Sequence, residues 1–188
     1  MEMQQFVSLE NARTQVDAIV DAAYKKFLER AGADNELPGS GTGSLSALGK
    51  PQIRWRKFGF SVAGITRCES NIIELNINYL YSADHAKFLK STPLHELAHS
   101  IAFQLCRDAT HGKVWKHIDR LLGDEPQPYH EYARPLNAPK KSVYVYECGG
   151  CKTVFKLSER QHREIGTYCC RKCKTLLLAA KFIEKTYI

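Results

Sequence analysis

His95, Glu96 and His99 stand in the arrangement His-Glu-Leu-Ala-His. On a helix, residues four apart lie one turn apart on one face, so both imidazoles can reach a single Zn²⁺. Glu96 is offset from His95 by about 100°, close enough to serve a metal-held water without being a ligand. A third ligand must come from further along. The extended H-E-x-x-H-x-x-G-x-x-H form fails, because Ala102 and Leu105 occupy its Gly and His places. The candidates downstream are Cys106, Asp108, His111, His117, Glu125 and Glu131. Cys106 shares the histidine face but lies about 10 Å along the axis from His99, and reads as a small buried thiol. In the next predicted helix, residues 111–123, Val114, Trp115, Ile118, Leu121 and Leu122 form the apolar stripe. His111 falls near its middle, whereas His117 falls about 120° away, towards solvent. Gly112 beside His111 permits close backbone approach. His111 is therefore the preferred third ligand and Glu125 the fallback, with a packed core histidine as the plainer alternative for His111.

A second set of metal-ligating residues lies near the C-terminus. Cys148 and Cys151 form one C-x-x-C pair, Cys170 and Cys173 another, with 18 residues between the pairs. That spacing suits a zinc ribbon with four thiolates, a closed and hence structural site. About 45 residues with few large apolar groups need such a staple to fold. Redox use of the pairs is the rival reading, and neither pair opens a βαβ unit. Cys169 adjoins Cys170, so a one-residue register swap stays open.

The elements that must position these residues follow from patterning. Residues 9–30 have helical apolar period, with Ser8 able to cap the start and Gly32 past the end. Residues 33–50 are rich in Gly and Ser and read as a flexible connector. Pro51 follows Lys50, so the Gly-Lys-Ser/Thr ending of a phosphate loop is missing. Residues 52–79 hold three short strands, expected as an antiparallel meander, with Ile73, Leu75, Ile77 and Tyr79 on one face of the third. Helices are predicted over 84–107 and 111–123, with Pro93 kinking the first or opening a new helix capped by Thr92. Residues 124–139 hold three prolines and read as irregular chain; Tyr129, His130, Tyr132 and Arg134 there can reach back towards the site. The fold class is α+β.

Charge and composition divide the chain. Residues 1–139 carry equal numbers of acidic and basic residues, whereas 140–188 carry 11 Lys and Arg against 4 Asp and Glu. The whole formal charge of +7 thus sits in the segment that holds five of the seven cysteines. A domain boundary near Pro139 is predicted, separating 1–139 from a basic module, 140–188. Lys152, Lys156, Arg160, Arg163, Arg171, Lys172 and Lys174 interleave with Tyr144, Tyr146, Phe155, Tyr168 and Phe182, a mixture suited to phosphates and unpaired bases. An apolar share of 44% with 25% charged residues describes a globular protein rather than a disordered one. The start lacks a basic region and an apolar run, and the longest apolar stretch, Leu176 to Ala180, cannot span a bilayer. A secreted or membrane protein is therefore not expected; a cytoplasmic one is, nucleoid-associated or, in a eukaryote, nuclear. A monomer is favoured.

His-Glu-Leu-Ala-His, followed after eleven residues by His111-Gly112-Lys113-x-Trp115, resembles the SprT family, which includes the Spartan-type DNA–protein crosslink proteases. The preceding 71–79 strand with Leu75-Asn76, and the trailing cysteine module, stand in that family's usual order; the strong match spans roughly residues 70–123. The resemblance implies a zincin-like core of N-terminal helix, sheet, active-site helix and following helix. It implies that His95, His99 and His111 bind a catalytic zinc and that Glu96 is catalytic. With the ribbon's structural zinc, two Zn²⁺ per chain are expected. The implied activity is a zinc-dependent endopeptidase, recruited or activated by single-stranded or distorted DNA, acting on DNA-bound or DNA-crosslinked proteins. Glu96 would act as general base on a water at the three-histidine zinc. A peptide is then expected to add as a strand beside residues 71–79. The rival class is a non-catalytic, zinc-containing nucleic-acid-binding or transcription-associated factor, which has no need of an intact Glu96.

Overall fold

A computed structural model describes residues 7–33 and 44–187, so most of the connector predicted over 33–50 lies outside the described residues. The chain divides into two compact units, Met1–Ala138 and Pro139–Ile188.

In the first unit, helix α1 (Leu9–Ala33) starts where the Ser8 side chain accepts the Asn11 N–H at 3.2 Å. Its stripe of Ala12, Val16, Val20, Ala23, Phe27 and Ala31 is buried. Three strands follow: β1 (Gln52–Arg56), β2 (Gly64–Arg67) and β3 (Ile72–Asn76). Their order in the sheet is β1-β3-β2. β1 runs parallel to β3, with Trp55 beside Leu75, and β2 runs antiparallel to it. The sheet is therefore mixed, which corrects the expected antiparallel meander.

The physical reason lies in Asn76. Its Nδ2 donates to Gly59 O at 3.1 Å and to Val62 O, and its Oδ1 accepts the Phe58 N–H at 3.3 Å. These bonds hold residues 58–62 across the end of β3, so β2 forms on the far side of β3 rather than folding back on β1. The apolar strand takes the centre, and its polar face is buried as well. Glu74 lies there between the guanidinium groups of Arg56 on β1, at 2.8 Å, and Arg67 on β2, at 3.0 Å. The third strand is also shorter than predicted. It stops at Asn76, whose side chain accepts the Asn78 N–H and caps the 3₁₀ turn Ile77–Tyr81.

Helix α2 (His85–Cys106) runs through Pro93 as one helix, not two. It is buried almost all round, packing on α1, on the sheet and on helix α3 (Lys113–Leu122). α2 ends at Arg107 and α3 at Gly123, both in the left-handed region, with φ of 57° and 93°. α3 begins two residues later than predicted, at Lys113, so His111 precedes the helix rather than sitting on it.

The second unit holds β4 (Ser142–Glu147), β5 (Val154–Ser158), the short helix α4 (Glu159–Arg163) and β6 (Lys181–Tyr187). The strands form an antiparallel sheet in the order β5-β4-β6. Ser158 and Gln161 make a reciprocal capping box at the start of α4. Tyr144, Tyr146 and Leu157 make one small core, and Cys148, Cys170 and Leu177 another.

Candidate metal centres

α2 carries His95 and His99 one turn apart, and the turn before α3 swings His111 over them. An Asx turn shapes that approach: Asp108 Oδ1 accepts the Thr110 N–H at 2.8 Å and its hydroxyl at 2.7 Å. The His111 Nε2 atom lies 3.0 Å from His99 Nε2 and 3.1 Å from His95 Nε2. Three Zn–N bonds of about 2.0–2.1 Å in tetrahedral directions separate the nitrogens by roughly 3.3 Å, so the trio fits a zinc ion. Trp115 lies against the three rings, with centroids 4.6–5.4 Å away, and its Nε1 donates to His95 O at 3.3 Å. The tryptophan of His-Gly-Lys-x-Trp is thus the support on which the ligands rest, a role hidden within its place on an apolar stripe.

Electrostatics suits the same purpose. Burial and then the neighbouring imidazoles push His95 down to about 3, with a backbone hydrogen bond to Gln127 opposing. Burial followed by His111 takes His99 to about 4, and burial also lowers His111. All three are neutral at pH 7, the form that ligates a metal. Glu96, 7% exposed, is pushed up to about 7 by burial, against hydrogen bonds from Thr66. A carboxyl so poised can take a proton and return it near neutral pH.

All four groups face one cavity of about 720 Å³. One side is β2 with the residues before it, Ser61 to Thr66; the other is the loop from Asp124 to Tyr132. Of the four residues expected to reach back, Tyr129, His130 and Tyr132 line the cavity, while Arg134 is not among its lining residues. Tyr132 shares a hydrogen bond with Thr92 at 3.0 Å, and its ring stacks on His130 at 4.7 Å. Glu125 and Glu131 line the wall without joining the ligand cluster, and Cys106, Asp108 and His117 do not join it either, among the described residues.

The four cysteines of the second unit also converge. Cys148 Sγ lies 3.5 Å from Cys173 Sγ, and Cys151 Sγ lies 3.7 Å from Cys170 Sγ. Tetrahedral Zn–S bonds of about 2.3 Å give sulfur separations of roughly 3.8 Å. Cys169 is exposed and outside the cluster, so Cys170 holds the fourth place.

The two knuckles are copies of one another. Each reads C-x-x-C-K-T, at 148–153 and 170–175. In each, the first cysteine's N–H donates to the threonine carbonyl and its carbonyl accepts the lysine N–H. The lysines, Lys152 and Lys174, have φ of 60° and 62°. Thr153 and Thr175 hydroxyls lie 3.3 Å from Cys151 and Cys173, and hydrogen bonds from Thr175 bring Cys173 down to about 6. A thiol held as thiolate is the form zinc takes.

The seven residues expected to meet nucleic acid are all exposed but scattered. Arg171, Lys172 and Lys174 share the second knuckle, Lys152 lies on the first, Lys156 on β5, and Arg160 and Arg163 on α4. Three of them face acidic neighbours: Lys152 with Glu147, Arg160 with Glu164, and Arg163 with Glu159, at 3.4–3.5 Å. Among the described residues no helix is long and apolar enough to cross a membrane.

Comparison with protein-family models matches residues 39–134 to the SprT-like family. The chain belongs to the SprT-like family. The matched stretch contains every histidine of the cluster, Glu96, Trp115 and the cavity loop. Relatives include Protein SprT of Pseudomonas aeruginosa (strain UCBPP-PA14), 32% identical over 135 residues, covering 69% of this chain and 80% of the relative. Protein SprT of Pseudomonas fluorescens (strain Pf0-1) is 33% identical over 124 residues, covering 62% and 73%. Protein SprT of Pseudomonas entomophila (strain L48) is 29% identical over 135 residues. No solved structure matches the SprT-like chain significantly.

Proposed function

We propose that this SprT-like chain is a zinc-dependent endopeptidase, recruited or activated by DNA, that cleaves proteins bound or crosslinked to it. The observation that carries the reading is the convergence of three neutral imidazoles and one buried, proton-poised carboxyl in an open cavity. His95, His99 and His111 would hold the catalytic ion and Cys148, Cys151, Cys170 and Cys173 the structural one. A zinc ion bound by three histidines keeps a fourth position open, acidifies water and polarises a carbonyl. Glu96 takes the proton from the attacking water and hands it to the leaving amine. The loop from Asp124 to Tyr132 walls the cavity and limits water around the scissile bond.

The substrate's place differs from the first expectation. β3 is paired on both sides, so no peptide can add beside residues 71–79. The open edge next to the cavity belongs to β2, and an extended substrate adds there. Recruitment by DNA rests on the basic excess of the second unit and on the exposure of its Arg171, Lys172 and Lys174. Single-stranded DNA is expected to stimulate cleavage of a DNA-binding protein. Replacing Arg171, Lys172 and Lys174 by Gln should abolish that stimulation and flatten its salt dependence. Unchanged stimulation in the triple variant would remove the knuckle as the DNA contact.

A further inference from the structure

Glu96 is held from outside its own helix. Thr66 on β2 brings its hydroxyl to 2.7 Å from Glu96 Oε2 and 2.8 Å from the Glu96 carbonyl oxygen. Two residues earlier on the same strand stands Gly64. A Cβ there would meet Thr92 Cγ2 at 2.8 Å, Glu96 Cγ at 3.0 Å and Glu96 Oε1 at 3.1 Å. Gly64 is therefore the clearance that lets β2 lie against the glutamate. β2 itself is fixed by its ladder with β3, where Gly64 faces Leu75 and Thr66 faces Ile73, and by Arg67 bonded to the buried Glu74.

We propose that Thr66 is a positioning residue for Glu96, tethering its carboxyl from the neighbouring strand so that it stays aimed into the cavity. This rests on the proteolytic reading for its catalytic consequence, though not for its geometry. A hydroxyl has one donor hydrogen and two lone pairs. Its single hydrogen faces Oε2 and the Glu96 carbonyl oxygen together, so one group on β2 fixes both the carboxyl and the backbone of Glu96. Without the tether, glutamate regains side-chain freedom, and a misaimed base loses rate.

The test compares Thr66→Val, which keeps the shape, with Thr66→Ser, which keeps the hydroxyl; Thr66→Ala is a second hydroxyl-free variant should Val perturb folding. Zinc content should stay at the wild-type value in all three. In Thr66→Val, kcat against a protein substrate should fall by about 10–100-fold with KM unchanged, as for other groups that orient a catalytic residue. Thr66→Ser should return kcat close to wild type. Crystal structures of the zinc-loaded proteins should show Glu96 leaving its position in the Val or Ala variant and keeping it in the Ser variant. Wild-type kcat in Thr66→Val, or an unmoved Glu96 in its crystal structure, would overturn the assignment. If the wild type cleaves nothing, the proteolytic reading fails, while the crystallographic comparison still decides whether Thr66 tethers Glu96.

Discussion

At the scale of single residues, some polar groups converge on a candidate metal position and others are buried alone. His111 closes the trio with His95 and His99 upon Trp115 and faces Tyr129 across the cavity wall. Replacing it by Ala should remove one of two zinc equivalents per chain, read by atomic absorption; an unaltered count would exclude it as a ligand. Asp119 is the opposite case. It is 1% exposed, its Oδ1 has no hydrogen-bond partner, and burial followed by the charge of Asp124 pushes it up to about 7, with Arg120 opposing. Its native state holds the proton more tightly than the unfolded chain. The contribution of Asp119 to stability is therefore greatest below its ordinary value near 3.8 and declines as pH rises towards 7. Asp119→Asn should raise Tm at pH 8 by a few degrees, roughly 1 kcal/mol, and flatten the slope between about pH 4 and 7. A lower Tm at pH 8 would contradict this.

His95, Glu96 and His99 were legible because their relation is local, one turn of one helix. His111 was legible as a residue but not as a geometry: the helical wheel that chose it does not extend to it, and the Asx turn at Asp108 aims it instead. Thr66 carried no signal, since its partner lies 30 positions away and a threonine in a strand is ordinary.

At the scale of elements, the sheet shows what local pattern leaves out. Strand existence followed from alternation, but strand order depended on which strand is most apolar and on the Asn76 bonds that route the chain past it. Glu74 shows the same limit: alternation put it on the polar face, yet that face is closed by Arg56 and Arg67. Those guanidinium groups, Arg56 first, hold its carboxyl below the usual range. Because the native value is lowered, the clamp's contribution is complete above pH 4.5 and fades as acid protonates Glu74. Glu74→Gln should cost about 1–3 kcal/mol at pH 7 by urea denaturation and much less in acid. The arginine side chains stay half exposed, which keeps the loss below that of a fully buried pair. An equal loss at both pH values would contradict the clamp. In the second unit, the repeat C-x-x-C-K-T was present in the sequence beyond the cysteines, and its meaning emerged only once both lysines proved to hold the same left-handed turn.

At the scale of the whole molecule, the chain joins a charge-balanced unit carrying the cluster of His95, His99 and His111 beside Glu96 to a basic unit carrying a cluster of four cysteines. Each cluster has the donor set to hold its own metal ion. Cys170→Ser should release the structural zinc and unfold the second unit, whereas Cys169→Ser should leave zinc content unchanged; equal zinc loss in both would reassign the ligand. The charge division at Pro139 was visible in composition, because it is a property of amounts rather than of pairing. Which basic residues would meet DNA was not, since ion pairs with Glu147, Glu159 and Glu164 form only in the fold.

The role proposed for Glu96 is to move the proton in peptide hydrolysis at the three-histidine site. Its most direct measurement is cleavage of a DNA-binding protein, with single-stranded DNA present, by the two-zinc wild type and by Glu96→Gln loaded with the same metal. The expected result is fragments from the wild type and none from the variant, at equal zinc content and equal DNA affinity. Fragments produced by Glu96→Gln at a comparable rate would contradict the account.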